Sequence, residues 1–497
     1  MSSRTPGFFY GFYVVAACFV VLFLPVTTLF GASFPLAVAA DPAARSDGAH
    51  AGAVAAANTV GSILGALVAP FALVPAVGSQ RTLLVLAAVH LSVAAVLWRR
   101  RARLVWAAAV GAILVVLAVA LPAEWVLRRA GSVSGGDAVL RQVSESVAAT
   151  VVVKDYVDPA PGWRSLELNG MNVAGTDASL LVVQQLQGNL PLLQVAHPRR
   201  VLHIGFGSGG TCWAVSRYPV ERIDVVEISP EVLAASNRWF ADVNRGVLGD
   251  PRVHVVVNDG RNYLLATEKR YDAILSDSIH PLYAGNSTLY TREYFQLCRD
   301  HLEPGGVVSM WLPLYSLDSA SYLRILRAFR DVFPHTVVWY DVTTVNENTV
   351  VTGQVEPGPV TLDWKRALDP RVAESLAIAR VAGPADLATD LLLAPDAVER
   401  LTRDVPPLVD DVPYVEYVAA RLLSRSGTWE QNLRLLAAAA SRTASPFAPH
   451  TGIDWEGAVR RRDARLRVIL DQLSAGPPKI PGTTARARRA AARAGHE

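Results

Sequence analysis

Between residues 201 and 341 the chain repeats one pattern: a short apolar run, a polar or glycine-bearing end, then a segment with helical spacing. The runs are VLHIGF, RIDVVEI, RVHVVVND, YDAILSD and GGVVSMW, followed later by HTVVWYD. Apolar runs of strand length that alternate with helices predict a mostly parallel sheet with helices on both faces. In such a sheet ligands bind at the carboxyl ends of the strands, so function is to be read from the residues that end each run.

The first run ends in VLHIGFGSGG, residues 201–210. Gly205, Gly207, Gly209 and Gly210 precede a helix expected from about Thr211, and their missing side chains let the backbone approach a ligand. A glycine loop alone also fits a tight strand-to-helix turn. Glu227 ends the second run about ~20 residues on, where a carboxylate accepts hydrogen bonds from ribose hydroxyls. Asp259 ends the third, where it can accept from an adenine amino group while Gly260 leaves room for the ring. Strand-end carboxylates also cap helices, but a glycine loop, a Glu and an Asp on three consecutive ends point to an adenosine-containing ligand. No second nucleotide half is visible, which argues against a dinucleotide. Asp277, in ILSDSIHP, ends the fourth run. Cys212 and Trp213 read as packing residues, while Tyr290 and Trp311 either line the cleft or, as aromatics at such places more often do, pack the core.

The remainder of the 497 residues divides unevenly. Hydrophobic residues make up 51% of the chain, with the excess before residue 125 in four apolar segments: 11–40, 51–77, 82–98 and 104–121. Each is near or above the ~20 residues that cross a bilayer core, so residues 1–125 predict an α-helical transmembrane region of about four helices. The first segment is too long for a simple signal peptide. Gly52, Gly61 and Gly65 suit tight helix packing in lipid, and Pro25, Pro35, Pro70 and Pro75 mark kinks. Four crossings place the RRRAR loop at 99–103 opposite the soluble part, whereas Arg4, Arg81, Arg128 and Arg129 favour a cytoplasmic soluble part; an odd number of crossings removes the conflict. Residues 131–180 read as a small β-hairpin unit with a turn at Asn169 and Gly170. Residues 181–354 read as the α/β domain, entered through the helix SLLVVQQLQGNLPLL. Residues 355–474 read as a helical C-terminal extension and 475–497 as a basic disordered tail. Cys18, Cys212 and Cys298 show neither disulfide nor zinc spacing, so no metal is expected. A net charge of +3 is too small to suggest nucleic acid.

Together, DPRVHVVVNDGRNYL, YDAILSDSIHP, STLYTREYF and LEPGGVVSMWLPLY closely resemble the spermidine synthase (polyamine aminopropyltransferase) family, especially its membrane-embedded bacterial relatives, over residues 148–340. AAANTVGSILGALVAPFALVPAVG resembles their transmembrane part and VDDVPYVEY, residues 409–417, a segment near their C-terminus. FYGFYVVAACFVVLF is also similar to the opening helix of major-facilitator transporters. The resemblance implies a Rossmann-like fold of the class I S-adenosylmethionine-dependent methyltransferase type. It implies decarboxylated S-adenosylmethionine, or S-adenosylmethionine itself, held by Gly205, Gly207, Gly209, Glu227, Asp259 and Gly260. It also implies an amine acceptor, Asp277 as the proton-accepting catalytic residue, and residues 282–290 as a lid hinged at Gly285.

Three departures from the family fall on the amine side. The second aspartate of the Asp277 loop is replaced by His280, an aspartate often found in the glycine loop by Ser208, and the YHE motif by Val183, Gln184 and Gln185. Gln184, Ser208, His280 and Tyr290 are therefore candidate substrate-binding residues, and His280, with an ordinary pKa of about ~6.5, is either a replacement base or a plain loop histidine. Partners on this reading are a small-molecule amine or another acceptor and the lipid bilayer, with no nucleic acid and a homodimer left open. The implied location is multi-pass in a bacterial inner membrane with the catalytic domain cytoplasmic. Three functions fit: aminopropyl transfer, methyl transfer from S-adenosylmethionine, and a non-enzymatic transporter-like or sensory protein that binds a nucleoside.

Overall fold

The computed structural model describes residues 48–97, isolated positions between 98 and 137, and residues 138–474 apart from 158–161, 284, 423–426, 443–444 and 449–451. The chain divides into two compact units, Met1–Val126 with Glu145–Val147, and Leu127–Ser144 with Ala148–Glu497.

In the first unit, helix α1 (Gly48–Val77) is 30 residues long with a mean hydropathy of 2.1 and none of its apolar stretch buried. At ~1.5 Å rise per residue it is about 45 Å long. It is the one helix among the described residues long and apolar enough to cross a membrane. Pro70 sits in a π-helical turn, Ala69–Leu73; proline has no N–H to donate and crowds the preceding turn, so the ladder widens there. Helix α2 (Ser79–Leu97) follows. The expected segments 51–77 and 82–98 fall on these two helices. Segment 11–40, most of 104–121, the arginine loop at 99–103 and the tail at 475–497 lie outside the described residues. Where four spanning helices were expected, the described residues hold one of spanning character.

The second unit begins with β1 (Ala138–Glu145), β2 (Thr150–Tyr156), β3 (Trp163–Leu168) and β4 (Met171–Gly175), a sheet in sequential order. Asn169 and Gly170 join β3 to β4 with φ of 50° and 84°, both left-handed as a two-residue hairpin requires. Asn169 Oδ1 also accepts from Thr150 N at 2.9 Å, which ties the turn to β2.

The main sheet comprises β5 (Arg200–Ile204), β6 (Arg222–Glu227), β7 (Val253–Val257), β8 (Tyr271–Ser276), β9 (Leu302–Pro313), β10 (His335–Trp339), β11 (Asn348–Gln354) and β12 (Leu391–Leu393), in the order β12-β10-β11-β9-β8-β5-β6-β7. Strands β5 to β9 pair in parallel and β9 to β12 antiparallel. Two of these strands escaped the sequence reading. β11 is interrupted by Gly353, and β12 is three leucines inside the stretch expected to be helical throughout, too short for its period to show. Residues 355–474 therefore supply an edge strand of the main sheet as well as helices. Both faces of the central strands are buried: Leu202, Ile204, Val308 and Met310 join one core, Val201, Val225, Leu275 and Val307 the other. Successive side chains point to opposite faces, so a strand buried on both reads as a continuous apolar run, which is why these strands were legible.

The helices that position the site are α3 (Ala178–Gln194), α4 (Gly210–Ser216), α5 (Pro230–Trp239), α6 (Gly260–Ala266), α7 (Pro370–Ile378) and α8 (Tyr414–Leu422). The chain winds from β5 out to β7, then returns to place β8 on the opposite side of β5. The resulting crevice at the carboxyl ends of β5 and β8 is where such sheets bind ligands.

Candidate active site

At this crevice Gly205 N donates to Val226 O and Asp277 N to Ile204 O, each at 2.9 Å, so pairing continues past the strand ends. Gly205 has φ of +86°, and a Cβ there would lie 2.2 Å from Asp277 O. Glycine alone lets β5 and the residue after β8 come this close. From behind, Ser236 Oγ at α5 donates to Gly207 O, and Asn244 Nδ2 donates to Ser208 O at 3.0 Å. The loop is thereby held open over a cleft of about 1200 Å³, counted out to its mouth.

Gly205, Gly207, Ser208, Glu227, Asp259, Gly260, Asp277, Gln184 and His280 all line this one cleft. Gly209 and Tyr290 do not. Gly209 caps α4 in the left-handed region, and Tyr290 is buried with its hydroxyl donating to Ser278 O and Ile279 O, each at 3.3 Å. Tyr290 therefore shapes the loop after β8 from beneath.

On the β6–β7 side, Glu227 Oε2 accepts from Phe206 N at 2.8 Å and Oε1 from Ser229 N at 3.0 Å. Burial pushes its carboxyl above the ordinary range, and these backbone donors oppose the rise. Each oxygen keeps a lone pair for a hydroxyl donor. Asp259 caps α6, with Oδ1 accepting from Asn262 N at 2.8 Å. The capping role leaves Oδ2 without a partner among the described residues. Gly260 brings α6 close to β5: a Cβ there would lie 2.3 Å from Ile204 Cγ2, so a larger residue would have to displace that side chain. Val226 and Ile228 also line the cleft on this side, so two carboxylates with spare acceptor capacity stand beside apolar surface.

On the β8–β9 side, Asp277 is 26% exposed, and Thr211 Oγ1 on α4 donates to its Oδ2 at 2.9 Å. Its Oδ1 carries no hydrogen bond among the described residues. Behind it, His203 on β5 is buried with neither ring nitrogen hydrogen-bonded, Nε2 lying 3.8 Å from Asp277 Oδ2. Ser208 Oγ donates to Gln184 Oε1 at 2.9 Å. Gln185, the third residue of the altered motif, is drawn away: its Nε2 donates to Gly210 O at 3.2 Å and its Oε1 accepts from Ser375 Oγ on α7 at 2.7 Å.

Gln187 lies one helical turn beyond Gln184 and also lines the cleft. Its Nε2 donates to Ser276 O at 3.4 Å, which fixes the amide orientation and leaves Oε1 buried without a partner. The β3–β4 hairpin adds Leu168, Met171 and Asn172 as a wall.

His280 is buried with both ring nitrogens engaged by backbone, an arrangement that favours the loop-histidine alternative. Its Nδ1 accepts from Leu282 N at 3.2 Å and its Nε2 faces Tyr315 O at 3.0 Å, a pattern that places the single proton on Nε2. Burial pushes its pKa down to about 4. The ring instead packs with Tyr315, centroids 4.9 Å apart, as part of the cleft wall. Because the folded pKa lies below the unfolded ~6.5, the unfolded chain binds the proton first as pH falls. Stability is full above ~6.5 and drops by about 2 kcal/mol between pH 7.5 and 5. Urea unfolding of the native chain and His280→Gln at those two pH values should show that increment only in the native chain; equal slopes would mean His280 titrates normally when folded.

In the stretch after β8, Asn286 and Leu289 also line the cleft. This segment is fastened by the 409–417 stretch. Glu416 on α8 accepts from Gly285 N at 3.1 Å and Ser287 Oγ at 2.7 Å, while Arg261 pairs with Asp410 and donates to Thr288 O at 3.0 Å.

Residues 180–357 match the spermine/spermidine synthase domain. A polyamine aminopropyltransferase of Nitrosomonas europaea is 35% identical over 148 residues, 29% of this chain and 45% of that protein. Polyamine aminopropyltransferase 1 of Pseudomonas aeruginosa is 34% identical over 146 residues, 29% of this chain and 50% of that protein. Putrescine N-methyltransferase 1 of Nicotiana tabacum is 32% identical over 206 residues, 39% of this chain and 53% of that protein. The chain spans about half the length of these curated relatives.

Proposed function

We propose that this chain is a membrane-anchored transferase that moves an aminopropyl group from decarboxylated S-adenosylmethionine to an amine, with Asp277 as the proton acceptor. The observation that carries the reading is one cleft holding two kinds of carboxylate: Glu227 and Asp259 on the nucleoside side, Asp277 across the switch point. The spermine/spermidine synthase domain over residues 180–357 supports it.

Glu227 would hold the ribose hydroxyls, and Asp259 Oδ2 the adenine amino group above Gly260. Bound there, the sulfonium nucleoside supplies an electrophilic carbon whose C–S bond breaks as the amine's C–N bond forms. An alkylamine with a pKa near ~10.4 is mostly protonated at pH 7, and presenting it neutral costs about 4–5 kcal/mol. Asp277 Oδ1 takes that proton, and Thr211 fixes the carboxylate by holding Oδ2. α1 serves as the membrane anchor, and the need for a cytosolic cofactor places the catalytic unit on the cytoplasmic side.

The putrescine N-methyltransferase relative favours a second reading, methyl transfer from intact S-adenosylmethionine. One assay separates the two. Full-length protein in detergent, given each cofactor with a panel of amines, should consume amine with the decarboxylated cofactor at least tenfold faster. The nucleoside product read by mass spectrometry should be the methylthio form. Equal or reversed preference, with the homocysteine-bearing nucleoside accumulating, would establish methyl transfer instead.

A further inference from the structure

We infer that the acceptor is an amine carrying a single positive charge on an apolar or aromatic body, not a diamine. This rests on the transfer reading above and concerns the β8–β9 half of the cleft.

Of the acidic residues lining the cleft, Glu227 and Asp259 belong to the ends of β6 and β7, and their backbone contacts hold them there. Among the described lining residues the other half has one carboxylate, Asp277. The attacking nitrogen requires it. A second ammonium on the same molecule would find no counter-charge, and a charge buried without a partner is disfavoured.

The groups that do face this half are neutral. The Gln184 carbonyl is occupied by the Ser208 hydroxyl. His280 has both nitrogens engaged by backbone, leaving its ring to form the wall with Trp311 and Tyr315. Trp311 donates its indole N–H to Asn348 Oδ1 at 3.0 Å, so its polar edge is also spent and its ring surface remains. Two neutral acceptor oxygens on lining residues are left buried and unpartnered: Gln187 Oε1, on the helix face beside Gln184, and Asn172 Oδ1, on the hairpin wall. A neutral acceptor oxygen suits a single N–H of the substrate, and an aromatic wall suits an apolar body or a cation resting on a ring face. A primary monoamine presents both: of the three N–H of its ammonium, one proton passes to Asp277 Oδ1 to free the lone pair for attack and another N–H donates to Gln187 Oε1.

The test compares matched acceptors on the full-length protein: n-butylamine and phenethylamine against 1,4-diaminobutane, with nucleoside release as the readout. The monoamines should have kcat/KM at least tenfold higher, the equivalent of ~1.4 kcal/mol. Ser208→Asp should narrow or reverse that ratio by adding a second carboxylate. A diamine used as well as or better than the monoamines by the native protein overturns this inference and leaves the transfer reading standing. No amine consumed with either cofactor overturns the transfer reading and the acceptor class with it. If Ser208→Asp does not fold, the native ratio decides alone.

Discussion

Asp277→Asn should lower kcat about 10²–10⁴-fold, the range for loss of a positioned general base. The substitution is nearly isosteric, and the amide oxygen can still accept from Thr211 Oγ1, so the loop after β8 should keep its shape. What disappears is the basic oxygen and its charge. Binding separates a catalytic from a structural effect if the ligand is the neutral thioether nucleoside formed by the transfer. That ligand senses Glu227 and Asp259 but carries no sulfonium for Asp277 to attract. Its dissociation constant, measured by calorimetry, should change by less than about twofold, while the cationic cofactor binds more weakly because a nearby carboxylate is gone. The pH profile gives a second reading. At higher pH more of the amine is already neutral, so the deficit should shrink as pH rises toward ~10. Turnover near the native value would remove Asp277 from the base role.

The parts of this site that the sequence made visible share one cause. β5, β6 and β8 are buried on both faces and therefore read as unbroken apolar runs, so the residue ending each run could be identified by position alone. Glu227 and Asp277 stand out that way, whereas Asp259 follows β7, a part-exposed edge strand that reads as a strand through its valines alone. The Asn169–Gly170 turn was equally legible, since both residues must adopt positive φ.

What was missed depends on three-dimensional neighbours. Gln187 reaches the cleft because it shares a helix face with Gln184, yet nothing local distinguishes it from the buried Gln185, which bonds to Ser375, 190 residues away in sequence. His203 does carry a local signal: a polar residue inside an otherwise apolar strand, two positions before Gly205. Its place behind Asp277 follows only from the register that sets His203 opposite Leu275, two residues before that aspartate. Glu416 was seen as part of a similar segment, but its hold on Gly285 and Ser287 is a tertiary contact with no local pattern. Tyr290 stands at a family-like position, and only the packing shows its hydroxyl turned to the backbone of Ser278 and Ile279.

Gly205→Ala should weaken nucleoside binding at least about 100-fold and lower the thermal midpoint. Two costs add. Holding an alanine at φ of +86° strains the backbone by about 1–3 kcal/mol, and its Cβ would sit 2.2 Å from the carbonyl oxygen of Asp277. That neighbour is backbone, tied through Asp277 N to Ile204 O, so it cannot swing aside as a side chain would. Relief must come from separating the ends of β5 and β8, which moves the glycine loop away from Glu227 and Asp277 away from the nucleoside. Gly260→Ala provides the contrast. Its Cβ would meet Ile204 Cγ2 at 2.3 Å, a side chain that can change rotamer, and it lies on the adenine side, away from the base. Gly260→Ala should therefore raise KM for the cofactor with kcat largely kept, whereas Gly205→Ala should lose both. Similar kinetics for the two variants would mean that the β5–β8 junction does not align the base with the nucleoside.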